Sequence, residues 1–197
     1  MIRILLYIKH KVPIIWNAIE KLNGLLYSIL YKSRMDEEVK KALKEFRLPG
    51  FETRQLNHQD LTLLSLLHDS QEASRVTYFN PHGFDQKSLL SVSRNPAFLM
   101  MGVFQGHRMV GYFFLRFFWN KKCFVGRLID QPFEGKGIGR MMNSIMYNIG
   151  WRMGFKVLST ISRKNSLVMK SHANNSFMKV LRELDDDYLF VQFVEKK

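Results

Sequence analysis

A single cysteine, Cys123, in 197 residues leaves no internal disulfide and no cysteine cluster for zinc, and a reducing, cytoplasmic setting fits that usage best. Acidic residues are scarce beside basic ones, 17 against 30, so the formal charge of +13 asks for an anionic partner without choosing among nucleic acid, a membrane surface and a phosphorylated small molecule. Long uncharged apolar runs are missing as well. None approaches the ~20 residues a bilayer span needs. The stretch Ile4 to Ile8 is too short for a secretory leader, and Lys9, His10 and Lys11 follow it at once. There is no internal repeat and no low-complexity tract. What is present is 46% apolar and 13% aromatic residues, which excludes a disordered chain and suffices for one substantial core.

The first 48 residues read as a helical extension on a main domain of residues 49–197. Between Pro13 and Tyr31 the apolar residues Ile15, Ile19, Leu22, Leu26, Ile29 and Leu30 recur at helical spacing, which predicts an amphipathic helix whose stripe must be buried somewhere. Residues 1–47 carry ten Lys and Arg against five Asp and Glu, a balance compatible with an anionic membrane surface. Asp36, Glu37 and Glu38 follow the helix, however, and oppose close approach to such lipid. Protein contact is therefore expected instead, on the chain's own domain or in a homodimer through this helix. Pro49 and Gly50 interrupt the helical pattern, and extended residues follow.

The main domain opens with two helical segments, "LNHQDLTLLSLLHDS" and "FDQKSLLSVSRN". The pattern then changes to Phe, Val, Met and Leu punctuated by "QGHR" and "WNKK", which predicts three antiparallel strands joined by tight turns. The stretch "FEGKGIGRMM" comes next. Behind it Ile138, Met141, Met142, Ile145, Met146 and Ile149 share one face of a helix ending near Gly154. "KVLSTIS" reads as a strand, "SLVMKSHANN" as a short helix and "DYLFVQFV" as a last strand, with "ELDDD" a solvated loop before it. This order predicts a mixed α/β domain with a central, partly antiparallel sheet flanked by helices.

The glycine stretch falls at a strand-to-helix turn. There the first backbone N–H groups of the helix have no intrahelical partner and the helix dipole adds positive charge, so a phosphate satisfies both. Glycines remove the Cβ atoms that would hold a phosphate away. Lys136 and Arg140 add full charges, and residues 120–170 carry ten Lys and Arg against Asp130 and Glu134. The spacing is neither that of a P-loop nor that of a dinucleotide fingerprint.

"EGKGIG" followed by an amphipathic helix, a strand and "RKNSLVMKSH" resembles the GNAT superfamily of acyl-CoA N-acyltransferases, over roughly residues 51–194. Gly137 and Gly139 match that family's signature of Gln or Arg, two residues, Gly, one residue, Gly or Ala; Glu134 stands at its first position. The resemblance implies that Glu134, Gly135, Lys136, Gly137, Ile138, Gly139 and Arg140 cradle the pyrophosphate of acetyl-CoA as co-substrate, and that Asn165 contacts the pantetheine arm. Backbone N–H groups at Leu128 or Ile129 would polarise the thioester. Seven positions after Asn165, where the family often has a Tyr that protonates the leaving thiolate, stands His172, with packing at the end of the short helix as its equal alternative.

Other features carry less. His82 and Asp85 lie in a loop where the family layout places acceptor substrates, and His82, Asp130 or a water chain would take the proton of the attacking amine. The Met-rich helix face reads as core filling. The carboxylates of "ELDDD" have no metal partner, and no metal is expected. Aromatics interleaved with cations in "LRFFWNKKCF" follow from strand alternation, so no nucleic acid is expected. The resulting reading is an N-acetyltransferase acting on a small-molecule amine, a nucleotide amino sugar foremost. A protein N-acetyltransferase and a non-catalytic coenzyme-binding module are the alternatives.

Overall fold

The computed structural model describes residues 13–196, which leaves the Ile4 to Ile8 run outside it. Helix α1 spans Pro13–Glu45 and strand β1 Glu52–Gln55, followed by α2 (Leu61–Asp69), a one-turn α3 (Ala73–Val76) and α4 (Gln86–Ser93). The meander is β2 (Phe98–Gln105), β3 (Arg108–Phe118) and β4 (Lys122–Ile129). Then come α5 (Ile138–Arg152), β5 (Lys156–Ser162), α6 (Ser166–His172), β6 (Met178–Leu184) and β7 (Tyr188–Phe193). The expected mixed α/β architecture is found, and β6 is the strand the sequence did not disclose.

Seven strands form one sheet in the order β1-β2-β3-β4-β5-β7-β6, antiparallel everywhere except between β4 and β5. That parallel pair is short. Lys122–Phe124 pair with Lys156–Leu158, and beyond Phe124 the two strands part. At the fork the Ser159 hydroxyl donates to the Val125 carbonyl at 3.0 Å. The sheet is therefore split toward the C-terminal ends of β4 and β5, and the turn into α5 sits at the mouth of the split.

Two cores lie on opposite faces. On one, α1 and α5 cover the sheet through Met141, Met142, Ile145, Met146 and Ile149, the predicted face of α5, against Val110, Phe113, Val125 and Val157. On the other, Leu61, Leu64 and Leu67 of α2 and Leu89 of α4 pack on Phe98, Met100, Tyr112, Phe114 and Leu128. The helix α1 is longer than its apolar stripe, and it presents a different face to the protein. Tyr27, Met35, Val39 and Ala42 are the buried positions. Tyr27 stacks on Phe117 with centroids 5.0 Å apart, while Asn23 donates to the Phe117 carbonyl at 3.0 Å and accepts from the Trp119 N–H at 3.1 Å. An amide and a tyrosine thus anchor the helix, and Ile19, Leu22, Ile29 and Leu30 point outward instead of being covered by the chain's own domain.

The "ELDDD" segment is not a plain loop: Glu183 and Leu184 finish β6, and Asp185–Asp187 turn the chain into β7 with Asp186 and Asp187 in left-handed backbone, φ 59° and 61°. Aspartate tolerates that conformation better than most side chains. Among the described residues no helix is long and apolar enough to cross a membrane.

Candidate functional site

The split is lined first by backbone. In the β3–β4 ladder the Asp130 N–H donates to the Val110 carbonyl at 2.9 Å. Antiparallel pairing alternates by residue, so the peptide groups of Leu128 and Gly126 also face β3, while those of Arg127 and Ile129 turn away from it into the split. Of the two N–H groups expected at the thioester, geometry thus favours Ile129 over Leu128, whose side chain lies in the core under α2. It adds Arg127.

The turn into α5 supplies the second wall. Gly135 and Gly137 adopt left-handed backbone, φ 73° and 85°, and Gly137 is the N-cap of α5 with no side chain capping it. A Cβ on Gly135 would meet nothing within 4 Å, and one on Gly137 only Leu48 Cδ1 at 3.6 Å. The loop is open where an anion would approach, and the first-turn N–H groups of α5 have no side-chain acceptor; these features fit a pyrophosphate. Ile138 is buried beneath the loop, Lys136 lies over the Phe133 ring at 4.6 Å, and Arg140 is exposed at the rim.

Glu134 is drawn aside. Its carboxylate pairs with Arg75 of α3, and the same guanidinium reaches the Ile129 carbonyl at 3.4 Å. A carboxylate beside the cradle is thereby neutralised by a residue far away in sequence. Arg75 was not legible beforehand; the one hint was that a carboxylate at this position needs a cation.

Arg127 is the other residue the sequence left unmarked. Its Nε donates to Asn143 Oδ1 at 3.0 Å and its Nη2 lies 3.4 Å from the Ser171 hydroxyl, so the side chain reaches from β4 past α5 to α6. A Cβ on Gly139 would stand 3.1 Å from Arg127 Nη1, which puts this guanidinium against the first turn of α5. No carboxylate pairs with it among the described residues. Burial lowers its pKa from the usual arginine value, the expected response of a desolvated cation. Gly139 matters here as the residue that makes room for it.

Asn165 caps α6, its Oδ1 accepting from the Val168 N–H at 3.1 Å, which leaves its Nδ2 as the donor a ligand carbonyl could use. His172 ends the same helix, buried against Phe193 with ring centroids 5.5 Å apart. Asn175 Nδ2 approaches His172 Nδ1 at 3.0 Å and Tyr147 Oη at 3.2 Å, which makes Nδ1 the acceptor and assigns the proton to Nε2. Burial, with the nearby Arg127 charge, lowers the His172 pKa to about 4. The ring is therefore neutral near pH 7. It can donate a hydrogen bond there, and it is not the charged acid that its free pKa suggested.

His82 and Asp130 are both engaged. Tyr112 Oη lies 2.8 Å from His82 Nε2 and the Gly83 carbonyl 2.9 Å from Nδ1, a pattern satisfied by the neutral Nδ1–H tautomer within a ring of Phe84, Phe98 and Phe114. Burial lowers its pKa as well. Asp130 is buried with Gln71 Nε2 at 3.0 Å on one oxygen and Arg108 Nη2 at 2.6 Å on the other. Asp85 is the N-cap of α4, accepting from the Ser88 N–H. No group of three or more His, Cys, Asp or Glu among the described residues is arranged to hold a metal ion.

No family model matches the sequence, and no curated protein matches it. Solved structures do. The chain superposes on the GNAT domain of PAT from S. lividans with a TM-score of 0.59 at 11% identity, over 72% of this chain and 88% of that one. The fold is that of the GNAT acyltransferases. The PaiA N-acetyltransferase of Thermoplasma acidophilum, solved with coenzyme A, matches with a TM-score of 0.62 at 16% identity over 74% of this chain and 99% of that one. The ribosomal-protein-S18-alanine N-acetyltransferase of Escherichia coli matches at 0.55 and 9% over 75% and 96%. The GNAT frame therefore accounts for about three quarters of the chain.

Proposed function

We propose that this protein is an acetyltransferase that moves an acetyl group from acetyl-CoA to a primary amine. The observation that carries the reading is the split between β4 and β5, open from Phe124 onward, with the glycine turn into α5 at its mouth. The structural likeness to N-acetyltransferases, among them one solved with coenzyme A, supports it. Acetyl-CoA supplies an acetyl group already activated as a thioester.

In this reading the N–H groups of residues 135–140 bind the pyrophosphate, and the Ile129 N–H donates to the thioester oxygen as charge develops on it during attack by the amine. Asn165 holds the pantetheine arm through Nδ2. His172 Nε2–H faces the leaving sulfur as a neutral donor, so the thiolate departs hydrogen-bonded and takes its proton from solvent. The amine arrives neutral, and as its nitrogen bonds to the acetyl carbon and the carbon–sulfur bond breaks, the proton it sheds passes to solvent. His82 and Asp130 support its delivery by holding the loop before α4 and the end of β4, since their polar atoms are committed to Tyr112, Gly83, Gln71 and Arg108.

Four of the ten cations of residues 120–170 are engaged away from the split: Arg152 pairs with Glu45, Arg163 with Glu183, Lys164 with Asp187, and Lys121 covers Tyr31. The acceptor is thus assigned only as a primary amine. Incubation of labelled acetyl-CoA with a panel of small amines, amino sugars and peptides tests the reading. Labelled amide is expected from at least one class; coenzyme binding by calorimetry without transfer to any would leave a binding module.

A further inference from the structure

Of the stripe read as needing burial, Ile19, Leu22, Ile29 and Leu30 are outside and Leu26 is half-buried. On α1, Leu22, Leu25, Ile29 and Leu30 are each more than half exposed, Ile29 the most at 72%, and Ile19 stands above them. Trp119, in the β3–β4 turn, extends the patch: it is 56% exposed, its N–H bonds Asn23, and its carbonyl accepts from the Tyr31 hydroxyl of the same helix. A run of five aliphatic side chains with a tryptophan beside it is not the scattered exposure of an ordinary surface.

Charge around the patch has one sign. Lys21 and Lys32 border the stripe on the helix, and Lys87 and Arg94 of the α4 region face Lys21 and Leu25 across a groove floored by Leu90 and Pro96. From residue 1 to residue 34 the chain has six Lys and Arg and a single acid, Glu20, which is held by Arg116. The acids that argued against lipid lie past the end of the stripe. Glu38 is buried on the protein side and bonded to Lys41 at 3.0 Å, and Glu37 stands 4.0 Å from the same ammonium.

We propose that this face docks on an anionic lipid surface, with Leu22, Leu25, Ile29, Leu30 and Trp119 entering the interface and the flanking lysines on the headgroups. Apolar side chains on one face of a helix lying in the plane of a membrane, with cations at its edges, are the physical requirements of such binding, and tryptophan favours that depth. A second copy of the chain fits less well. Joining two stripes sets lysine borders of like sign beside each other, and the acid among them, Glu20, is already held by Arg116, whereas anionic headgroups complement both borders. The expectation of protein contact is revised for this reason.

Full-length protein is sedimented with vesicles of phosphatidylcholine containing about one third phosphatidylserine, and with phosphatidylcholine alone, at low and high salt. Binding is expected to the anionic vesicles only, falling about tenfold or more as salt rises from about 0.1 M to about 0.5 M. The double variant L25E/I29E, at two mostly exposed positions, should lose that binding by at least about tenfold while its circular dichroism and melting curve stay close to those of the parent. Protein that ignores anionic vesicles and runs as a dimer dissolved by L25E/I29E would overturn the proposal in favour of a second copy. A monomer that ignores the vesicles would overturn it outright. None of these readouts depends on acetyl transfer.

Discussion

Arg127 is a half-buried guanidinium against the first turn of α5, bonded to Asn143 and Ser171 and to no carboxylate among the described residues. A cation drawn partly out of water without an acid beside it is costly, and it is tolerated where a ligand brings the opposite charge. Arg127→Met should therefore weaken acetyl-CoA binding by about tenfold to a hundredfold, as expected for losing a charge-assisted contact. The affinity for acetylpantetheine, which lacks the pyrophosphate, should hardly change. Equal losses for both ligands in calorimetry would move Arg127 from the phosphates to the arm. His172 carries a pH signature. Its folded pKa lies below the value of 6.5 for a free histidine, so the unfolded chain binds the proton more readily. Its contribution to stability is complete above pH 6.5, declines as pH falls, and is fully lost below about 4. A proton NMR titration should find the His172 ring changing near pH 4 and not near 6.5. Activity that falls as pH rises through 6 to 7, with that limb removed in His172→Phe, would restore a charged acid. The sequence places Asn165 and His172 at the two ends of a short helix, where the structure has them, but a local sequence cannot reveal that Asn175, itself bonded to Tyr147, fixes the imidazole tautomer, or that Arg75 answers Glu134 from 59 residues away.

Among the elements, the turn into α5 is where sequence and structure agree most closely, because its constraint is local. Gly135 and Gly137 before an amphipathic helix, with Gly139 in its first turn, need no tertiary context to specify an open N-terminus. Gly137→Val puts a β-branched side chain at φ 85°, a backbone cost of roughly 1–2 kcal/mol, and fills the anion's approach. Coenzyme affinity should fall at least about tenfold while the melting temperature drops only a few degrees. Unchanged affinity would remove the loop from the site. The strand β6 was hidden for the opposite reason. It is an edge strand with Lys179, Arg182 and Glu183 along a mostly exposed run, so no apolar alternation betrays it, and charges of this kind keep an edge from pairing with other chains. The helix α1 was found by its period, yet the period alone could not tell which face meets the protein. Its outward stripe is more apolar than the inward face that carries Asn23 and Glu38.

For the molecule as a whole, α1 belongs to the fold. Tyr27, Met35, Val39 and Ala42 share one core with β3, α5 and β7, and a chain beginning near Leu48 would uncover it. Tyr27→Ala should cost about 3–5 kcal/mol, the range for removing a fully buried aromatic ring, and be read directly as a lower urea midpoint. A loss below about 1 kcal/mol would mean that α1 is loosely held and separable. Near its start the helix is bonded to Trp119 in the β3–β4 turn through Asn23, and just past its end Leu48 lies beside Gly137 at the turn into α5. The split itself has a consequence for solvent exchange. Only three residue pairs join β4 to β5, so the amides of Arg127 and Ile129 hang on no neighbouring strand, while those of Gly126 and Leu128 are locked to β3. Deuterium should therefore enter this single strand at every second residue, fast at 127 and 129 and slow at 126 and 128. The fast amides should slow only when something long and narrow fills the space beside them.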